Sequence, residues 1–303
     1  MTSAAAIVLD DLQWETAPPA PKGRDAWRRF RRNRMAVAGL AVVAAMALAA
    51  LSAPLLVRVG VLADPYRVDI RLPHAGVSRS HPFGTDALGR DLLSRTIFGA
   101  RISLSIGVLL QVLVLVIGGG IGLVAGFRGG VVGSLLMRLT DVMYAFPDLL
   151  FVLVVAAVLG PGYWHVFLAV GLSSWPFLAR LVRAQALTIR EQDYVAAARA
   201  SGSRSSTIVV RHVVPNALGP VVVTLAFGIP AVIFTEAFLS FVGVGLRPPV
   251  PSWGVMVNEG YQAIFAFPRE VIVPAAAIAL ATTAFNFIGD GLRDALDPRV
   301  ARR

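Results

Sequence analysis

The sequence predicts an all-α polytopic membrane protein with six transmembrane helices. Two features of the 303-residue chain lead to that class. Hydrophobic residues make up 56% and charged residues only 15%, with a mean hydropathy of +0.70, whereas a soluble domain carries about a quarter charged residues. The apolar residues also gather into six runs, each close to the ~20 residues that cross a bilayer core.

Residues 1–34 read as a polar arm outside the membrane. Residues 1–20 hold alanine and proline without periodicity and are expected to be unstructured. In 25–34 (DAWRRFRRNR), Trp27 and Phe30 share a helical face ringed by arginines. Such a segment either lies on an anionic leaflet or simply flanks the first span with positive charge. Spans are expected at 35–57, 102–127, 142–159, 163–181, 217–242 and 271–288, with a tail at 291–303. Between the first two spans, 58–101 is too long for a turn. Gly84 and Gly89 punctuate it and Asp91 is placed to cap the next helix, so a small folded lid is expected. Pro176, following Ser173, Ser174 and Trp175, is expected to kink the fourth span.

Arginine and lysine placement sets the orientation. With the N-terminus in the cytosol, the inner segments hold nineteen of the 28 Lys and Arg residues and the outer segments nine. An even number of spans then leaves both termini in the cytosol of a multi-pass cell-membrane protein. The net charge of +10 does not point to nucleic acid, because the arginines stand beside span ends.

The chain has no cysteine, and His74 and His81 have no third ligand nearby, so neither a metal nor a cofactor is expected. The lone lysine, Lys22, follows Pro21, which excludes a GxxxxGK[ST] phosphate loop. An intramembrane enzyme would need a nucleophile and base that the spans lack, His165 standing at an outer edge. A secondary transporter driven by an ion gradient is disfavoured by the scarcity of ionisable residues inside the spans.

Between the fourth and fifth runs lies a polar stretch, EQDYVAAARASGSRSSTIVVRHVVPN, which must sit outside the membrane. Helical spacing puts Tyr194, Ala198 and Gly202 along one stripe, with Ala197 and Ser201 alongside. Small side chains there allow another surface to approach the backbone, and Gly202 permits a turn. Pro215 stands where a membrane helix is expected to restart.

This stretch resembles the coupling motif of ABC-importer membrane subunits: Glu-Ala-Ala, three residues, Gly, nine residues, Ile-x-Leu-Pro. Ala197 and Ala198 match the paired alanines, Gly202 the glycine and Pro215 the proline. Ala196 stands in place of the glutamate, and His212 and Val214 replace the isoleucine and leucine. The stretches WRRFRRNRMAVAGLAVV, HPFGTDALGRDLLSRTIFGARISLSIG, MRLTDVMYAFPDLL, WPFLARLVRAQAL, TEAFLSFVGVGLRPPVPSWG and FNFIGDGLRDALDP extend the likeness from Trp27 to the C-terminus. Together they look like the C-type permease of the dipeptide/oligopeptide/nickel family.

The resemblance implies a MetI-like five-helix permease core at 102–290, preceded by an extra N-terminal span, with a coupling loop at 184–215. It also implies three kinds of partner: a homologous permease subunit, two cytosolic ABC ATPases and an extracytoplasmic substrate-binding protein. Cargo would be peptide, with nickel or glutathione as alternatives within the family.

Two further features have open readings. Gly118, Gly122 and Gly126 fall four apart in the second span, a pattern for close helix packing within this subunit or against a second permease. Glu236 lies in an apolar run, where a carboxylate costs at least ~2.5 kcal/mol on insertion scales. It is expected either to line or gate the outer pathway, or to cap a helix break.

Overall fold

The computed structural model describes residues 23–297. The arm at 1–20 and the last six residues of the expected tail therefore lie outside the described residues. A short basic helix, α1 (Gly23–Arg32), leads into α2 (Arg34–Arg58), whose first turn is capped by Asn33 accepting from the Met35 and Ala36 amides at 3.1 Å. Phe30 is buried in a small cluster with Ala36 and Ala295, while Trp27 stays exposed.

Helix α3 (Leu92–Val114) begins well before the expected residue 102. Asp91 caps it, accepting from the Ser94 amide at 2.7 Å. A π turn (Leu115–Gly119) joins it to α4 (Gly120–Arg128), giving one rod from Leu92 to Arg128. The early start is possible because the charge of Arg95, fully buried in the first turns, is matched by carboxylates from elsewhere in the chain.

The expected continuous third span is corrected. Helices α5 (Gly130–Ala145) and α6 (Asp148–Leu159) meet at a bend of 86°. Pro147 is the cause: it denies the residue before it a helical conformation, and Phe146 is extended at ψ 136. Among the described residues, five helices or composite rods are long and apolar enough to cross a membrane, and the bent pair supplies the sixth crossing if counted as one.

Helix α7 (Tyr163–Arg190) runs past the expected end of the fourth span and through Pro176, which does not terminate it. Next come α8 (Asp193–Ala200), α9 (Ser205–Ile208), a second π turn (Val209–Val213) and α10 (Val214–Val242). The segment Ser205–Val242 forms one rod. Helix α11 (Trp253–Tyr261), capped by Ser252, precedes the last long helix, α12 (Arg269–Leu296).

Two apolar clusters hold these rods together. One joins Ile106 and Leu110 of α3 to Val170 and Leu178 of α7 and Val232 and Leu239 of α10. The other packs Leu92, Ile233, Trp253 and Phe285, with the Trp253 indole N–H donating to the Thr96 carbonyl at 2.9 Å. Leu48, Leu51 and Leu55 of α2 remain exposed, as side chains bordering lipid do.

The glycine series of α4 and its π turn seats directly on α7. A Cβ on Gly122 would lie 2.3 Å from the Ala179 carbonyl oxygen and 2.8 Å from the Val182 Cβ. Gly118 and Gly126 meet Trp175 and Leu178, and Arg183 and Ala186, in the same way. In lipid no hydrophobic drive separates helix from tail, so close backbone approach supplies the packing energy.

The segment 59–91 folds as a cap across one end of the bundle. It is tied down by ions: Arg90 reaches Asp86 at 2.7 Å and Glu259 at 2.8 Å, and Arg95 reaches Glu259 at 2.6 Å. Arg95 Nη1 also lies 3.3 Å from Asp86, within ion-pair range but off hydrogen-bond geometry. His74 and His81 are partly buried, each paired with a carboxylate. His74 Nδ1 is 2.6 Å from Glu270 with its ring stacked on Phe267, and His81 Nδ1 is 2.9 Å from Asp91.

Two outcomes follow from this packing. Gly122→Ala should lower the thermal midpoint of the purified chain, whereas Gly120→Ala, whose Cβ would meet nothing within 4 Å, should leave it unchanged or raise it. The former carries an overpacking cost of about 1–3 kcal/mol and the latter the helix preference of alanine. Equal midpoints for the two variants would contradict the contact. Glu259→Ala should cost about 3 kcal/mol by stranding buried Arg95, and adding Arg95→Met should recover part of it. Unfolding curves in detergent decide this, and a double variant no better than the single one removes the charge-pairing account.

Candidate functional site

The polar stretch singled out in the sequence forms a compact hairpin between the two long rods, α7 and Ser205–Val242. Val195 is its anchor. Fully buried, it packs in a cluster with Ala186 and Ile189 of α7, Ile208, Val213 and Ala217. Arg199 lies over the Phe127 ring at 5.8 Å, and Tyr194 faces the His212 ring at 5.7 Å.

The hairpin turns at Gly202 through a Schellman closure. The Ser203 amide donates to the Ala198 carbonyl at 3.0 Å and the Gly202 amide to the Arg199 carbonyl at 2.9 Å. That pattern requires a left-handed residue, and Gly202 has φ +77 with no atom within 4 Å of where a Cβ would be.

The exposed face differs from the expected stripe. Tyr194, Ala197, Ser201, Gly202 and Pro215 are exposed, but Ala198 is half-buried against the Val195 cluster. The helix turns Ala198 inward because it adjoins the apolar anchor, and Ala196 and Ala197 take the outer face instead. Ser201 donates from its hydroxyl to the Ala197 carbonyl at 2.9 Å. Desolvation raises the Tyr194 phenol above its ordinary pKa.

Pro215 stands in the first turn of α10, where the α-helix resumes as expected. It stands within the continuous rod, just past the π turn. The wider turn shifts the bonding register where proline has no N–H to give.

Beyond the hairpin, the same two rods wall a cavity of about 550 Å³ together with α3 and α6. Its polar lining comprises Gln111, Asp148, Ser173, Ser174, Thr224 and Thr235, set among apolar side chains such as Val152, Phe177 and Phe227. Glu236, the expected pathway residue, is not part of that lining. It is fully buried, accepting from Ser103 at 2.9 Å and Ser240 at 3.0 Å. Ser240 also accepts from the Leu246 amide at 3.1 Å just after α10 ends. Glu236 thus joins α3, α10 and the turn that follows, which favours the second of its two expected readings, a carboxylate at a helix break. Only a carboxylate so enclosed by hydroxyl donors meets its desolvation cost in this position.

Gln111 and Asp148 escaped sequence reasoning. A glutamine inside an apolar run and an aspartate directly after the helix-breaking Pro147 were visible signals. The glycine series, by contrast, lies against α7 of its own chain, so those three positions make an internal contact.

Comparison with known proteins now joins this geometry. The family described as binding-protein-dependent transport system inner membrane component matches residues 118–302, and that described as N-terminal TM domain of oligopeptide transport permease C matches 22–73. The oligopeptide transport system permease protein OppC of Bacillus subtilis is 40% identical over 279 residues, covering 92% of this chain and 90% of that protein. The dipeptide permease DppC of the same organism is 39% identical, covering 92% and 86%. The glutathione transport system permease GsiD of Pectobacterium atrosepticum is 40% identical, covering 91% of each. A chain of the MetNI methionine ABC transporter, in an inward-facing crystal form, superposes with a TM-score of 0.56 at 17% identity, covering 68% of this chain and 98% of that one. That likeness concerns the fold, which is MetI-like, with a further helix, α2, ahead of the shared core. A multi-pass helical chain, matched over most of its length by such permeases, belongs to the binding-protein-dependent transport system inner membrane component family.

Proposed function

We propose that this chain is one of two membrane subunits of an ATP-driven peptide importer, taking its energy from partners that dock on the hairpin. In this reading a homologous permease completes the pathway, and two cytosolic ATPases bear on the Tyr194–Gly202 face and its counterpart in the other subunit. A binding protein delivers cargo to the 59–91 cap. The permeases it resembles are named for oligopeptide, dipeptide and glutathione transport, which favours cargo with peptide bonds over a metal ion.

One observation carries the proposal. The hairpin is the direct link between the two rods that wall the cavity, so a push on it reaches both walls. Its outer face of small side chains, with open space over Gly202, leaves room for a partner surface. The cytosolic placement of the hairpin is supported by basic residues at that end of the bundle. Arg128, Arg138, Arg183 and Arg190 surround a polar cavity of about 400 Å³, a distribution that favours the inner side.

The docking role has a direct genetic test. Gly202→Asn keeps the left-handed turn, since asparagine tolerates that conformation, but fills the open space above it. ATP-driven uptake by the complete complex should fall at least tenfold, with the chain still assembled in the membrane. Copurification with the ATPases and uptake both equal to wild type would remove the docking assignment.

A further inference from the structure

Gln111 holds an unresolved polar group. It is 8% exposed and stands mid-rod on α3, yet among the described residues its amide has no hydrogen-bond partner. The amide lies flat against α10, where a Cβ on Gly228 would come within 2.6 Å of both its oxygen and its nitrogen. Glycine therefore makes the seat, and the seated amide lines the 550 Å³ cavity. The amide keeps accessible surface toward the cavity and is open to pairing with what enters it, whereas Glu236 on the same rods is matched within the chain.

The rest of the lining indicates what would match it. Ser173 and Ser174 donate their hydroxyl protons to the Val170 carbonyl at 3.0 and 2.7 Å, Thr224 to Pro220 at 2.9 Å and Thr235 to Ala231 at 2.9 Å. Each hydroxyl thus turns acceptor lone pairs, not its proton, toward neighbours. Asp148 adds a carboxylate, and among the described residues no arginine or lysine lines the cavity. A wall of acceptors, one carboxylate and one amide suits a ligand with N–H donors, a cationic end and an amide of its own. An anion such as phosphate finds no counter-charge there. The volume lies within the roughly 300–1,000 Å³ typical of small-molecule sites.

We propose that this cavity is a peptide-binding station inside the membrane. Gln111 pairs with a backbone amide of the cargo, donating to its carbonyl and accepting from its N–H, and Asp148 takes the α-ammonium. The inference rests on the peptide-import reading above and gives that reading a specificity-determining site.

The test uses the complete importer in liposomes, comparing trialanine with N-acetyl-trialanine and recording peptide delivered per ATP hydrolysed. Gln111→Leu should lower trialanine delivery per ATP about tenfold, the effect of one unmatched buried hydrogen-bonding group. Asp148→Asn, at an exposed position, should erase most of the preference for the free N-terminus over the acetylated one. If Gln111→Leu does not assemble, the Asp148→Asn preference ratio decides alone. Wild-type import of trialanine, with both variants matching wild type, overturns this inference alone and leaves the amide merely hydrated. A wild-type complex that carries neither peptide overturns the import reading, and this inference with it.

Discussion

The seating of α4 on α7 is the contact on which the other features depend. Gly118, Gly122 and Gly126 bring one helix against the backbone of the other, with the Ala179 carbonyl at the centre. Larger residues there would part the two rods. Such a separation would open the cavity wall formed by Ser173, Ser174 and Phe177, and would also unseat the Phe127 ring on which Arg199 of the hairpin rests. A bilayer offers no hydrophobic drive to restore that contact, because lipid tails compete equally for apolar side chains. Close packing has to supply it.

Several buried polar groups among the described residues are met by partners within the chain. Arg95 is met by Glu259 and Asp86, Glu236 by Ser103 and Ser240, and the Trp253 indole by the Thr96 carbonyl. These satisfied groups lie toward the capped end and fix α3, α10 and α11 to one another. Gln111 differs in that its amide is seated against Gly228 and turned to the cavity without a partner in the chain. The contrast separates what the fold needs for itself from what it presents to something else. The same division appears in the hairpin, where Val195 is wholly enclosed while Tyr194, Ala197 and Ser201 face outward.

Much of this was legible in the sequence because lipid imposes long apolar runs, and those runs are readable without knowing their partners. The hairpin was legible too, since a polar stretch between two spans has no other place to go. Three features were not. The 86° bend at Pro147 was hidden because apolar composition continues across it and the breaker is a single residue. The start of α3 at Leu92 was hidden because Arg95 reads as an outer charge until Glu259, far along the chain, is seen beside it. The role of Glu236 turned on Ser103, a partner 133 residues away. The last two depend on long-range pairing, which periodicity cannot supply. Ala198 turned inward for a related reason: spacing gives the stripe but not which neighbouring cluster it leans on.

The central claim is that force reaches the membrane rods through the outer face of the hairpin. The chain contains no cysteine, so a single one placed at exposed Ala197 reports on its neighbour without background. Crosslinking from that position in intact membranes, with the captured protein identified by mass, measures the claim directly. The account predicts capture of an ATP-binding subunit, with a yield that changes when nucleotide is trapped on the complex. Capture confined to lipid, or to a protein on the opposite side of the membrane, would contradict it.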